Sequence, residues 1–160
     1  MNARGADLAT QLETANAAVI AAVEGCSDEQ WKRITESEQW PVGVTARHVA
    51  INHLPLAGFV ELIATGGEIP PITMDMIHAN NAQHAQEHAN CTQAEVLELL
   101  RRDGSAAAEK LRNLSDEQLA RTASLALLGG AEMSATQIAE NILLRHPYQH
   151  LESIQATVGN

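Results

Sequence analysis

The stretch LLRHPYQHLESI (143–154) places His146 and His150 four residues apart. On a helix that spacing sets both imidazoles on one face, where they can offer two ring nitrogens to one metal ion. The apolar stripe of the same segment is Ala135, Ile138, Ala139, Ile142 and Leu143. Continued by threes and fours, it lands on both histidines. A buried imidazole needs a hydrogen-bond partner or a metal. For a single core histidine the hydrogen bond is the usual answer; for two stacked on one apolar face, a ligand pair is an equal alternative.

A third ligand has to come from elsewhere, and WPVGVTARHVAINHLPLAGFVELI supplies His48 and His53. At ~100° per residue these lie about 140° apart around a helix, so they cannot face one point. His53 falls on the purer apolar stripe, with Val49, Ala50, Leu56, Ala57 and Val60, and periodicity slightly prefers it. His48 lies on a mixed face with Val44, Thr45, Ile51 and Asn52. His84 and His88 form a rival pair at the same spacing. Their neighbours Asn80, Asn81, Gln83, Gln86 and Glu87 predict a solvated helix, which also carries His78. No Ser/His/Asp order and no phosphate-cradling glycine loop is visible, and the GG pairs at 66–67 and 129–130 read as turns.

Helices must position these residues. Leu8, Leu12, Ala15, Val19, Ala22 and Val23 predict a first helix over 6–24, ended by Gly25. Ser27 with Gln30 has the form of a capping box for one short turn. Pro41 forces an extended link before a second long helix over about 43–65, stopped by TGGEIPP. A third helical region starts near 73. It breaks near 90–92, where Thr92 with Glu95 predicts a new cap, and continues over 93–113. Residues 121–133 read as an irregular connection with a short extended piece. The last helix covers 134–157, with Ser134 and Gln137 as its capping box. Four long helices of this kind predict an all-α four-helix bundle, one domain over 1–160. CSDEQW (26–31) and LSDEQL (114–119) echo one another, either as two similar caps or as a duplicated helix pair.

Composition agrees. The 160 residues are 45% hydrophobic but only 2% aromatic, a supply of small aliphatics suited to close helix packing. A net charge of −10 argues against nucleic acid and against anionic membranes. Cys26 and Cys91 make no disulfide framework and suggest a reducing compartment. The first twenty residues lack a basic start followed by an apolar run. The longest apolar patch, 54–65, is too short to span a bilayer and carries Glu61. The expectation is a cytoplasmic protein.

The order of these motifs resembles the DinB-like superfamily of metal-binding four-helix bundles, which includes thiol-dependent maleylpyruvate isomerase domains. The matching features are CSDEQW after helix 1, the Trp-led WPVGVTARHVA, the second LSDEQL, and the closing HPYQHLESI. The resemblance covers nearly the whole chain. It implies that the histidine eight residues after the tryptophan, His48, is the first ligand and that His146 and His150 complete the set. It therefore favours His48 over His53, which would line the pocket. Asn52, one turn beyond His48, could orient a ligand or substrate. Pro147 departs from the pattern: it removes a helical hydrogen bond and implies either a kink or a displaced ligand.

Three imidazoles leave coordination positions open for water or a thiolate. Zinc, nickel, cobalt, iron and manganese all accept nitrogen ligands. The resemblance implies a metal-dependent thiol-transferase or hydrolase-like enzyme, a small-molecule substrate with a low-molecular-weight thiol as cosubstrate, and a homodimer. No catalytic base declares itself. The alternatives are a non-catalytic metal- or ligand-binding bundle of a stress response and a purely structural helical dimer.

Overall fold

A computed structural model describes residues 1–159. In chain order the elements are α1 (Ala3–Glu24), the turn α2 (Asp28–Trp31), α3 (Val42–Thr65), α4 (Met74–Glu87), α5 (Gln93–Arg112) and the turn α6 (Asp116–Leu119). Strands β1 (Thr122–Leu125) and β2 (Ala131–Ser134) follow. The last helix is built of α7 (Ala135–Ile138), a π-turn (Ala139–Leu143) and α8 (Arg145–Val158). The architecture is the expected all-α bundle. The connection read as irregular contains an antiparallel β1–β2 ribbon, with Thr122 opposite Ser134 and Leu125 opposite Ala131.

Local chemistry sets the boundaries. Ser27, Thr92, Ser115 and Ser134 each cap a helical segment, and each in return donates its backbone N–H to the side-chain oxygen of Gln30, Glu95, Gln118 or Gln137. Gly66, left-handed at φ 74°, closes α3. The two SDEQ motifs share one shape: Ser27 and Ser115 both have φ −75°, with ψ 164° and 158°. Around the bundle, α5 packs against α1 and α3, and the last helix touches the same two from the other side. This order sets α3 beside α8.

The core falls into two apolar clusters. One contains Leu8, Leu12, Ala57, Val60, Ile63, Leu111, Ile138 and Leu143; the other contains Val19, Val23, Val49, Val96, Leu100, Leu151 and Ile154. Four helices change cluster at a small or polar stretch: α1 at Asn16, α3 at His53, α5 at Asp103 and Gly104, and the last helix at His146 and His150. A Cβ on Gly104 would lie 2.2 Å from Asn16 Nδ2, so this layer closes only around glycine.

The last helix corrects one sequence expectation. Its π-turn is marked by the bond from Leu144 N–H to the Ala139 carbonyl, 2.9 Å. Such a turn holds one more residue than an α-turn. The inward face shifts accordingly: Pro147, Leu151, Ile154 and Val158 are the buried residues of α8. His146 and His150 flank the core stripe, half-buried, instead of standing on it. The shift also puts Pro147 in the opening turn of α8, where its missing N–H matters least.

Candidate metal centre

The start of α3 is fixed from below. Gly43 packs on the Trp31 indole so closely that a Cβ would come 2.4 Å from Trp31 Cε2, and the indole N–H donates to the Cys91 carbonyl at 2.9 Å. Six residues into α3, His48 points toward the last helix. Its ring centroid lies 4.9 Å from that of His146 and 4.8 Å from that of His150, and those two are 4.6 Å apart. One nitrogen from each ring lies within 4.8 Å of the others. His48 Nε2 and His146 Nε2 face each other at 3.0 Å. A metal with bonds of ~2.0–2.1 Å holds adjacent nitrogens about 3 Å apart, so this pair already has a ligand-pair spacing.

The third ring is held by a residue that periodicity did not single out. Glu38 Oε1 accepts from His150 Nδ1 at 2.7 Å, while Ser153 Oγ donates to Glu38 Oε2 at 2.6 Å. With its proton fixed on Nδ1, His150 presents Nε2 as a lone pair, the carboxylate–histidine arrangement that orients metal ligands. The loop before α3 displays Glu38. Thr35 N–H donates to the Trp40 carbonyl at 2.8 Å, Gln39 N–H donates to the Thr35 carbonyl at 3.1 Å, and Gln39 is left-handed at φ 59°. Burial alone would raise the Glu38 pKa. Hydrogen bonds from Ser153, Thr35 and His150 outweigh it, and the carboxyl stays ionised below its usual range.

Burial keeps the His48 and His146 rings neutral and able to donate lone pairs. Burial pushes His48 down to about 3 and His146 to about 2, with the neighbouring imidazoles adding to both shifts. Trp40 meets the His48 ring edge-on at 5.3 Å. Asn52 contacts the same residue: its amide nitrogen bonds the His48 carbonyl at 2.7 Å and lies 3.3 Å from His48 Nδ1. Buried His146 Nδ1 has no partner. Three imidazoles on two helices, two of them kept neutral by burial and the third held by a carboxylate, fit a divalent transition ion.

His53 is outside the cluster. It is fully buried, and its Nε2 bonds Asn16 Oδ1 at 2.9 Å. Asn16 Nδ2 donates to the Leu100 carbonyl at 2.8 Å. That bond fixes the amide orientation, so His53 carries its proton on Nε2. Burial lowers its pKa to about 4. The apolar stripe was thus a correct guide to depth, and at the core position it marks Nε2 is paired with Asn16 while Nδ1 is buried without a partner.

The rival pair behaves otherwise than a solvated helix predicts. His88 is half-exposed, but His84 is buried, with its ring 6.1 Å from that of His48. His78 is exposed. Cys26 and Cys91 are free thiols, both raised in pKa by burial. Among the described residues no helix is long and apolar enough to cross a membrane.

Comparison with known proteins agrees with this architecture. A crystal structure of a mutant of mycothiol-dependent maleylpyruvate isomerase superposes with a TM-score of 0.72 at 13% identity. It covers 92% of this chain, whereas this chain spans 59% of that one, so the likeness is one of fold. No curated protein matches the sequence. The family model of the DinB superfamily matches residues 11–154, which run from α1 through all three clustered histidines to the last turns of α8. The chain belongs to the DinB superfamily.

Proposed function

We propose that this protein is a metal-dependent enzyme of the thiol-transferase or hydrolase-like kind, with His48, His146 and His150 as ligands. The observation that carries the reading is the convergence of three ring nitrogens within 4.8 Å, one held by Glu38. Bound there, a zinc, nickel, cobalt, iron or manganese ion would act as a Lewis acid and lower the pKa of a coordinated water or thiol. The chain's own contribution is positional. Glu38 keeps a proton on His150 Nδ1, and Asn52 and Trp40 restrain His48. Three protein ligands leave room for a small-molecule substrate or a low-molecular-weight thiol. The neighbour's dependence on mycothiol supports a thiol as cosubstrate. A cytoplasmic location, an acidic surface without nucleic-acid or membrane partners, and a homodimer complete the reading. Light scattering tests the dimer, since a mass near 17.2 kDa would refute it.

One observation favours the second reading, a non-catalytic metal- or ligand-binding bundle. Two clefts, of about 490 and 460 Å³, are lined by Arg33, Ser37 and Ser153 and by Arg47, His88 and Cys91, and neither is lined by any of the three imidazoles. Metal analysis of untagged protein, followed by turnover of electrophiles with a panel of small thiols, separates the two. One ion per chain with thiol-dependent turnover supports the enzyme; one ion without turnover supports the binding protein. No stoichiometric metal overturns the enzyme and the metal-binding form of the second reading.

A further inference from the structure

The helix α4 packs unlike the others. Among its fourteen residues only His84 is buried, at 8% exposure. Ile77, Asn81 and Ala85 are half-buried and the remainder is exposed, and the helix is capped by Thr73, whose side chain accepts from Met76 N–H. A helix with one buried side chain has little apolar area to hold it in place. That side chain is an imidazole, and neither of its ring nitrogens has a hydrogen-bond partner. Leaving a buried donor and acceptor both unpaired is unfavourable, so a partner is called for.

Position says what the partner is. The His84 ring lies 6.1 Å from His48, beyond the 4.6–4.9 Å spacing of the three clustered rings. His84 is absent from the group whose nitrogens converge within 4.8 Å. It therefore stands one layer outside the ligands, beside His48. Arg47, His88 and Glu87 are the other charged or titratable side chains acting on it. Arg47 favours negative charge there, and Glu87 opposes it from the cleft side, which it shares with Arg47 and His88.

We propose that His84 recognises the exogenous ligand of the three-histidine centre, a small anion or thiolate, through a hydrogen bond from its ring, and that this bond fastens α4 over the site. The inference rests on the reading of His48, His146 and His150 as a metal centre. It makes His84 a ligand-binding residue and α4 the element that responds to occupancy.

The test uses full-length protein loaded with cobalt(II) and titrated with azide and, separately, with 2-mercaptoethanol, followed by the visible cobalt spectrum. His84→Ala and His84→Gln are compared with the parent, with folding checked by circular dichroism. The expected result is one cobalt per chain in all three, azide and thiol affinities about tenfold weaker in His84→Ala, and partial recovery in His84→Gln, whose amide can donate. Azide should slow amide exchange over 74–87 in the parent but not in His84→Ala. Loss of cobalt from His84→Ala would make His84 a metal ligand and overturn the proposal, as would affinities within twofold of the parent. A parent protein that takes up no cobalt would overturn the metal centre itself, and this inference with it.

Discussion

Glu38 and His150 are joined by a 2.7 Å hydrogen bond across 112 residues of sequence, from the loop before α3 to the middle of α8. That bond decides which nitrogen of His150 is free. Carboxylates that orient ligand histidines commonly contribute 10–100-fold to metal affinity. Glu38→Ala should weaken binding by that factor while His150 remains in place, as measured by competition with a chromophoric chelator. Unchanged affinity would show that the carboxylate serves only the loop.

His48 and His53 should separate cleanly. His48→Ala is expected to lose stoichiometric metal and His53→Ala to retain it. The second variant instead leaves Asn16 Oδ1 unpaired in the core, at about 1–3 kcal/mol plus a cavity term. Urea unfolding reads the stability and metal analysis reads the site. Metal loss in both variants would mean that the Asn16–His53 pair supports the centre directly.

Gly104→Ala attacks the same pair from behind. Its Cβ would sit 2.2 Å from Asn16 Nδ2 and 2.7 Å from Asn16 Cγ, in a fully packed layer. Displacing Asn16 breaks its bonds to Leu100 and His53, and a loss of several kcal/mol is expected. A melting temperature within a degree or two of the parent would show that the helices can separate there without penalty.

The metal-free protein should be acid-sensitive. His48, His53, His84 and His146 all have folded pKa values below the ordinary 6.5, at about 3, 4, 4 and 2. The unfolded chain therefore takes up protons first. The stability these neutral rings contribute is complete above about pH 6.5 and is lost as pH falls toward 4 and below. His53 alone accounts for roughly 2–4 kcal/mol, since each unit is worth about 1.4. Thermal melts of chelator-treated protein between pH 7.5 and 4.5 should fall steadily, and a flat profile would count against the buried, neutral layer.

Pro147→Ala should change little. In a helix interior proline costs ~3 kcal/mol, but here the π-turn has moved Pro147 into the first turn of α8. A gain under about 1 kcal/mol, with metal retained, is the expected result. A gain near 3 would show that the widened turn does not relieve the ring.

What the sequence made legible was mostly local. The capping boxes at Ser27, Thr92 and Ser134 formed where their spacing placed them, and Gly25 and Gly66 follow the helices they were read to end. The convergence of His48 with His146 and His150 came from family resemblance, because periodicity reports depth within one helix and not which helix lies opposite. The π-turn was hidden for a related reason: a 3.6-residue template carried through 139–143 puts the histidines on the core stripe, one residue off the buried face. Glu38 left no signal, since its partner is fixed only by tertiary contact. His84 was obscured by polar neighbours, in a helix that buries a single ring.

The divided core bears on how the bundle comes apart. The two apolar lobes, one around Leu12, Val60 and Leu111 and the other around Val23, Val49 and Leu100, meet through the layer of Asn16, His53 and Gly104. α1, α3, α5 and the last helix each thread both lobes, yet the joint between them is polar. In native-state exchange the lobes should report as separate cooperative units when the histidines carry no ion. An ion gripped by His48, His146 and His150 would act as a rivet at the seam and merge their openings into one.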